Sequence, residues 1–150
     1  MIKRTETACI FFLGGTLYTL VELLWRGYSH VSMTFVGGVC FLCIHLINRL
    51  LGHGGIGRFA LKCILSGSVI TLVELVSGIV LNLWFGLRVW DYSEVPLNLL
   101  GQICAGYSAA WVLVSAPALW LCGLIDRFFD MIENGEHYEE TEKIRKDSAV

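Results

Sequence analysis

Residues 19–23 read Thr19-Leu20-Val21-Glu22-Leu23, and residues 71–75 repeat them letter for letter as Thr71-Leu72-Val73-Glu74-Leu75. Both copies lie inside apolar runs. A bilayer crossing takes roughly 20 mainly apolar residues in helix. Four segments meet that length, at about 8–25, 32–51, 60–84 and 96–124. None has the continuous polar stripe of a helix at a water-facing surface, which argues against a soluble bundle. The first run ends at Trp25-Arg26-Gly27 rather than at small residues, so it does not read as a cleavable signal.

Outward from the pentapeptide the match continues. Gly15 aligns with Gly67 at an offset of 52 residues. Tyr28-Ser29-His30-Val31 then aligns with Tyr92-Ser93-Glu94-Val95 at an offset of 64, as do Gly37 with Gly101 and Cys40 with Cys104. The second half therefore holds 12 extra residues, in the region Asn82–Trp90. They predict a longer third helix followed by an interfacial segment. Two spans per copy return the chain to its starting side, so the copies should be parallel, related by an axis along the membrane normal.

The expected fold is thus an all-α integral membrane protein with four transmembrane helices, built as two parallel, pseudo-twofold helical hairpin repeats. The transmembrane domain would occupy residues 1–125, with repeat one at about 8–51 and repeat two at about 60–124. Residues 126–150 read as a cytoplasmic tail, amphipathic at its start and acidic beyond. Of the net charge of −2, the tail carries −4 and the body +2. No basic patch with interleaved aromatics suggests nucleic acid. Lys3, Arg4, Arg49, Arg58, Lys62 and Arg127 flank one side of the spans, and Arg26 and Arg88 the other. The positive-inside rule then puts both termini in the cytoplasm. Trp25, Tyr28, Trp84, Trp90 and Tyr92 cluster at the opposite interface.

An ionised side chain in a span costs about 2.5–3.5 kcal/mol, which makes Glu22 and Glu74 the first functional candidates. Gly15, Thr19, Glu22 and Arg26 share one helix face, as do Gly67, Thr71, Glu74 and Gly78. Small residues on that face favour close helix packing, so both acids should point into the bundle. There Asn98 and Gln102, read as part of helix four, would offer polar partners. Two readings compete. Glu22 could pair with Arg26 at i+4 and simply pin helices together. Alternatively the acids bind a cation or proton. Glu74 is the sharper candidate, since Gly78 stands where Glu22 has Arg26.

Trp90, Asp91, Tyr92 and Ser93 form the candidate outer-face motif. Asp91 or Ser93 suits an N-cap for helix four, with Pro96 in its first turn; a ligand contact at the outer mouth is the other reading. The six cysteines fall in or beside the spans and read as small hydrophobes. Cys40-x-x-Cys43 has metal spacing but no second pair, so no metal or other cofactor is expected. His30, His45, His53 and His137 are scattered. No phosphate-binding loop appears, hence no direct ATP binding, and no catalytic motif suggests an enzyme.

One stretch resembles a known family. Glu74-x-x-x-Gly78, Trp90-Asp91-Tyr92-Ser93-x-x-Pro96-x-Asn98-x-x-Gly101-x-Ile103-Cys104, Tyr107-Ser108 and Trp111 are similar to the signature of the type IV ABC-transporter permease family. These are small bacterial four-helix membrane proteins with a W-D-Y-S motif. The resemblance implies a permease or transport component in the bacterial cytoplasmic membrane. Four spans are few for such a permease, and a homodimer would supply eight. The alternative is a non-transport scaffold or regulatory subunit whose acidic tail binds a cytoplasmic partner.

Overall fold

A computed structural model describes the backbone of residues 2–147 and the side chains of residues 5–24 and 27–135. The chain is mostly helical. Helix α1 spans Ile2–Arg26, α2 Val31–Leu51 and α3 Ile56–Gly78. Helix α3 continues into a π-helical segment, Ile79–Trp84. A two-residue ladder comes next, β1 (Asn98–Leu99) against β2 (Ile103–Cys104), and then α4, Ala105–Asp147. Strands β1 and β2 are antiparallel, pairing Asn98 with Cys104 and Leu99 with Ile103.

Four helices are long and apolar enough to cross a membrane, over Thr5–Leu24, Val31–Leu51, Ile56–Trp84 and Ala105–Gly135. Their outward faces carry large apolar side chains such as Phe12, Leu24, Phe35, Leu50, Leu113 and Trp120. So continuous an apolar exterior suits hydrocarbon rather than water. Inside, Ile10, Met33, Phe41, Ile44, Ile70, Leu119 and Cys122 pack into one core.

Helix α1 packs mainly on α2, and α3 mainly on α4; α2 also touches α3 and α4. Glycine permits both close pairs. A Cβ on Gly15 would lie 2.4 Å from the Thr34 carbonyl oxygen of α2, and one on Gly67 would lie 2.5 Å from Val112 of α4. In each case the threonine four residues on donates its hydroxyl back to the glycine carbonyl, at 2.9 Å for Thr19 and 2.9 Å for Thr71. Both hydroxyls thus bond back within their own helices, and Thr19 Oγ1 also lies 2.8 Å from Thr34 Oγ1, a hydrogen bond from α1 to α2.

The bundle has two ends. The base holds the start of α1, the α2–α3 connection and α4 near Asp126, tied by contacts from Glu6 and Asp126 to α2. The crown holds residues 27–30 and 85–104. The crown departs from the sequence reading. Helix α4 starts at Ala105 rather than near Pro96, so Asn98 and Gln102 belong to the crown and not to that helix. Turn chemistry outweighs the apolar run there. The Asn98 side-chain amide donates to the carbonyls of Ser93 (3.2 Å) and Val95 (2.8 Å), and its Oδ1 accepts from Gly101 N–H (3.1 Å). Leu97, Leu100 and Gly101 all take positive φ, which no helix tolerates.

Candidate functional site: two buried carboxylates under the crown and a charged cluster at the base

Glu22 and Glu74 are both buried, at 8% and 5% exposure. Each meets a residue from the connection beyond its own helix. Ser29 Oγ donates to Glu22 Oε2 at 2.6 Å. Tyr92 Oη donates to Glu74 Oε1 at 3.0 Å, and Trp111 Nε1 of α4 donates to Glu74 Oε2 at 2.9 Å. Among the described residues, the donors to Glu74 are neutral. The side chain of Arg26, expected as a partner for Glu22, lies outside the described residues.

Aromatic rings surround Glu74. Tyr92 stacks on Tyr107 with centroids 4.7 Å apart, and Trp111 stacks on Tyr18 of α1 at 6.1 Å. Trp111 therefore connects Glu74 to the first hairpin. Burial first, and then the neighbouring Glu74 carboxylate, push the Tyr92 phenol above its ordinary range. It stays a proton donor across physiological pH. Beside this cluster a groove of about 410 Å³ is lined by Gly67, Ser68, Thr71, Ser108, Ala109 and Val112.

The crown closes over Glu74 through a network that the sequence pattern does not single out. Asn82, in the π-helical segment, is its hub. Its Nδ2 donates to the Trp90 carbonyl (3.0 Å) and to Gln102 Oε1 (2.8 Å), while its Oδ1 accepts from Val89 N–H (2.7 Å). Trp90 Nε1 donates to the Gln102 carbonyl at 2.9 Å. Asn82, Trp90 and Gln102 are all buried. Gly78 makes room for them: a Cβ there would lie 2.6 Å from Gln102 Oε1 and 3.0 Å from the Trp90 ring. Asn98, Asp91 and Ser93 are exposed. Asp91 does not cap α4. Its Oδ1 accepts from the Ser93 backbone N–H at 2.9 Å and from Ser93 Oγ at 2.6 Å, closing a turn within the crown. Those bonds hold its carboxyl below the usual range, with Ser93 Oγ the first cause.

A second cluster occupies the base. Glu6 (α1), His45 (α2) and Asp126 (α4) each offer a ligand atom, all within 4.8 Å of one another. His45 Nε2 lies 3.5 Å from Glu6 Oε1, and Nδ1 lies 3.6 Å from Asp126 Oδ1. Arg49 Nη1 donates to Glu6 Oε1 at 3.3 Å. Lys62 Nζ donates to Asn48 Oδ1 at 2.8 Å, and Asn48 Nδ2 donates to Asp126 Oδ2 at 3.3 Å. Lys62, a flanking base by sequence, is in fact buried. The available signal was Glu6 and Lys62, two charges inside apolar windows, besides the two glutamates of the pentapeptides.

Lipid-facing apolar helices around buried carboxylates define a multi-pass membrane protein. More particularly, the chain belongs to the family described as "Putative ABC-transporter type IV", whose model matches residues 9–137. No curated protein and no solved structure gives a significant match.

Proposed function

We propose that this protein is a small permease, or the membrane component of a transport system, and that Glu74 and Glu22 line its polar interior site. The observation that carries the reading is Glu74. It is a buried carboxylate in a span, held by two neutral donors, Tyr92 and Trp111. A carboxylate so placed can take up a proton or cation by exchange, and intramembrane acids with this enclosure mark ion and proton paths. Membership of a family described as transporters supports the same role. The two hairpins act as parallel repeats in this reading, with both acids at matched depth. The base faces the bacterial cytoplasm, following the distribution of Lys and Arg. The protein performs no catalysis of its own, and a homodimer would supply eight spans.

The test uses proteoliposomes loaded with a pH-sensitive dye and driven by a potassium diffusion potential. Wild-type protein should admit protons at a rate that Glu74→Gln lowers at least tenfold, with a smaller loss for Glu22→Gln. Equal rates in wild type, both variants and empty liposomes would overturn the assignment of these acids.

One observation favours a second role alongside the first. Helix α4 runs unbroken for 43 residues. At 1.5 Å per residue that is about 65 Å, roughly twice the hydrocarbon thickness of a bilayer. Its far end reaches beyond the base, and an acidic arm of that kind suits a cytoplasmic partner. Deleting residues 136–150 should leave proton flux intact and abolish capture of that partner.

A further inference from the structure

We propose that Glu6, His45 and Asp126 form a binding site for a divalent transition-metal ion of the Zn²⁺ class. The site lies at the opposite end of the bundle from Glu22 and Glu74. Sixteen residues of α1 separate Glu6 from Glu22, about 24 Å of helix. The metal site is therefore independent of the transport reading.

His45 is the residue on which the site turns. It is 8% exposed, and its Nδ1 is buried without a hydrogen-bond partner. That nitrogen faces Asp126 Oδ1 at 3.6 Å, too far to be a hydrogen bond. The other nitrogen stands 3.5 Å from Glu6 Oε1. A buried imidazole at ion-pair distance from two carboxylates, with its Nδ1 given no hydrogen bond, is a costly arrangement for a purely structural histidine. As a ligand set it makes sense. The donors come from three different helices, with ligand atoms within 4.8 Å. Ligands of a first-row ion sit about 2.0–2.2 Å from it. The three atoms would have to close by about 1 Å to share one ion.

The surroundings fit that role. Lys62 fixes Asn48, and Asn48 holds Asp126 by Oδ2, leaving Oδ1 turned towards the ring. Support of this kind orients metal ligands. Arg49 is the present counter-charge of Glu6, but its side chain is 52% exposed. It can swing into water when a cation takes its place. The charged groups of the cluster come from every helix packed around it: Glu6 on α1, His45 and Arg49 on α2, Lys62 on α3, and Asp126 on α4. With a neutral imidazole, the two carboxylates balance a divalent ion. One nitrogen and two oxygen donors favour zinc, cobalt or nickel over magnesium and calcium, which prefer oxygen alone.

The experiment uses full-length protein in lipid nanodiscs, stripped with chelator and titrated with Zn²⁺ alone by calorimetry and with Co²⁺ by absorption spectroscopy. The expected result is one ion per chain, a ligand-field band from Co²⁺, and no displacement by millimolar Mg²⁺. His45→Gln and Asp126→Asn should each weaken binding ten- to a hundredfold. Glu133→Gln, at an exposed carboxylate outside both clusters, should leave it unchanged. Absence of saturable binding by the wild type would overturn the site, whether or not the variants fold. So would binding that persists in His45→Gln, or that disappears with Cys40→Ser and Cys43→Ser.

Discussion

The same five residues, Thr-Leu-Val-Glu-Leu, lead to two different enclosures. In the first copy, Glu22 is met by Ser29, on a connection of four residues between α1 and α2. In the second, Glu74 is met by Tyr92 and Trp111, beneath a crown that fills residues 85–104. The helices make little of the difference: Gly15 and Gly67 both allow a close approach, and Thr19 and Thr71 both bond back to the glycine carbonyl, although Thr19 also bonds to Thr34 of α2. The connections beyond the two glutamates do. Aligned by their Tyr-Ser pairs, Gly27 stands opposite Asp91. Gly27 turns the first connection with a left-handed φ of 77°, and Ser29 then reaches Glu22. In the second connection Asp91 takes Ser93 for its own turn, and Tyr92 serves the carboxylate instead. A buried acid on a helix is thus specified by the helix, while the loop beyond it supplies one partner in each copy and α4 adds Trp111 for Glu74.

The largest break in this comparison should come from Gly78. Position 78 corresponds to Arg26 of the first copy, which already carries a long side chain. A Cβ at 78 would press on Gln102 Oε1 at 2.6 Å and on the Trp90 ring at 3.0 Å. Gly78→Leu should therefore lift the crown, break the Asn82–Gln102 bond and cost roughly 3 kcal/mol or more. Arg26→Leu should cost far less. Thermal unfolding in detergent compares them directly. Equal midpoints for the two variants would mean that the crown is not seated through Gly78.

Next in size is the contrast between the acids themselves. Glu74→Ala leaves the Trp111 N–H and the Tyr92 hydroxyl without their acceptor, a loss of about 1–3 kcal/mol. Glu22→Ala removes the acceptor of Ser29, a single partly buried hydroxyl, and should cost about 1 kcal/mol. Glu74→Gln keeps an acceptor and should recover part of the loss. Unfolding midpoints of the three variants rank them, and the reverse order for the two alanine variants would sink the idea that Glu74 is the better-enclosed acid.

Much of this was legible in the sequence, and the reason is physical. Apolar length alone marks the four spans, and Gly-x-x-x-Thr spacing marks the faces that pack. The extra residues of the second half signal the longer third helix, which runs to Trp84 before the crown begins. The start of α4 was not legible. Pro96-Leu97-Asn98-Leu99-Leu100 is apolar enough to read as helix, and only the Asn98 bonds to two carbonyls reveal a turn. Nor was Asn82 legible as a hub, because its partners Trp90 and Gln102 lie across a loop whose path sequence does not fix. The base cluster was hidden for the same reason: Glu6, His45 and Asp126 come from three helices far apart in the chain, and no local spacing links them.

The smallest effect tests the loop side of the comparison through pH. Asp91 is fully exposed, and its carboxyl is held below the ordinary value chiefly by Ser93 Oγ, with the Ser93 N–H and Arg88 adding to it. A lowered acid contributes its turn above the unfolded pKa, about 3.9, and loses it as pH falls through the lower folded value. The crown turn should therefore persist at neutral pH and loosen only in strong acid. Ser93→Ala removes the first of those donors, so the Asp91 midpoint should move up towards the ordinary range while Glu74 keeps Tyr92 and Trp111. Carboxyl-carbon NMR titration in detergent reads the Asp91 midpoint directly. An unchanged midpoint would mean that Ser93 does not hold Asp91.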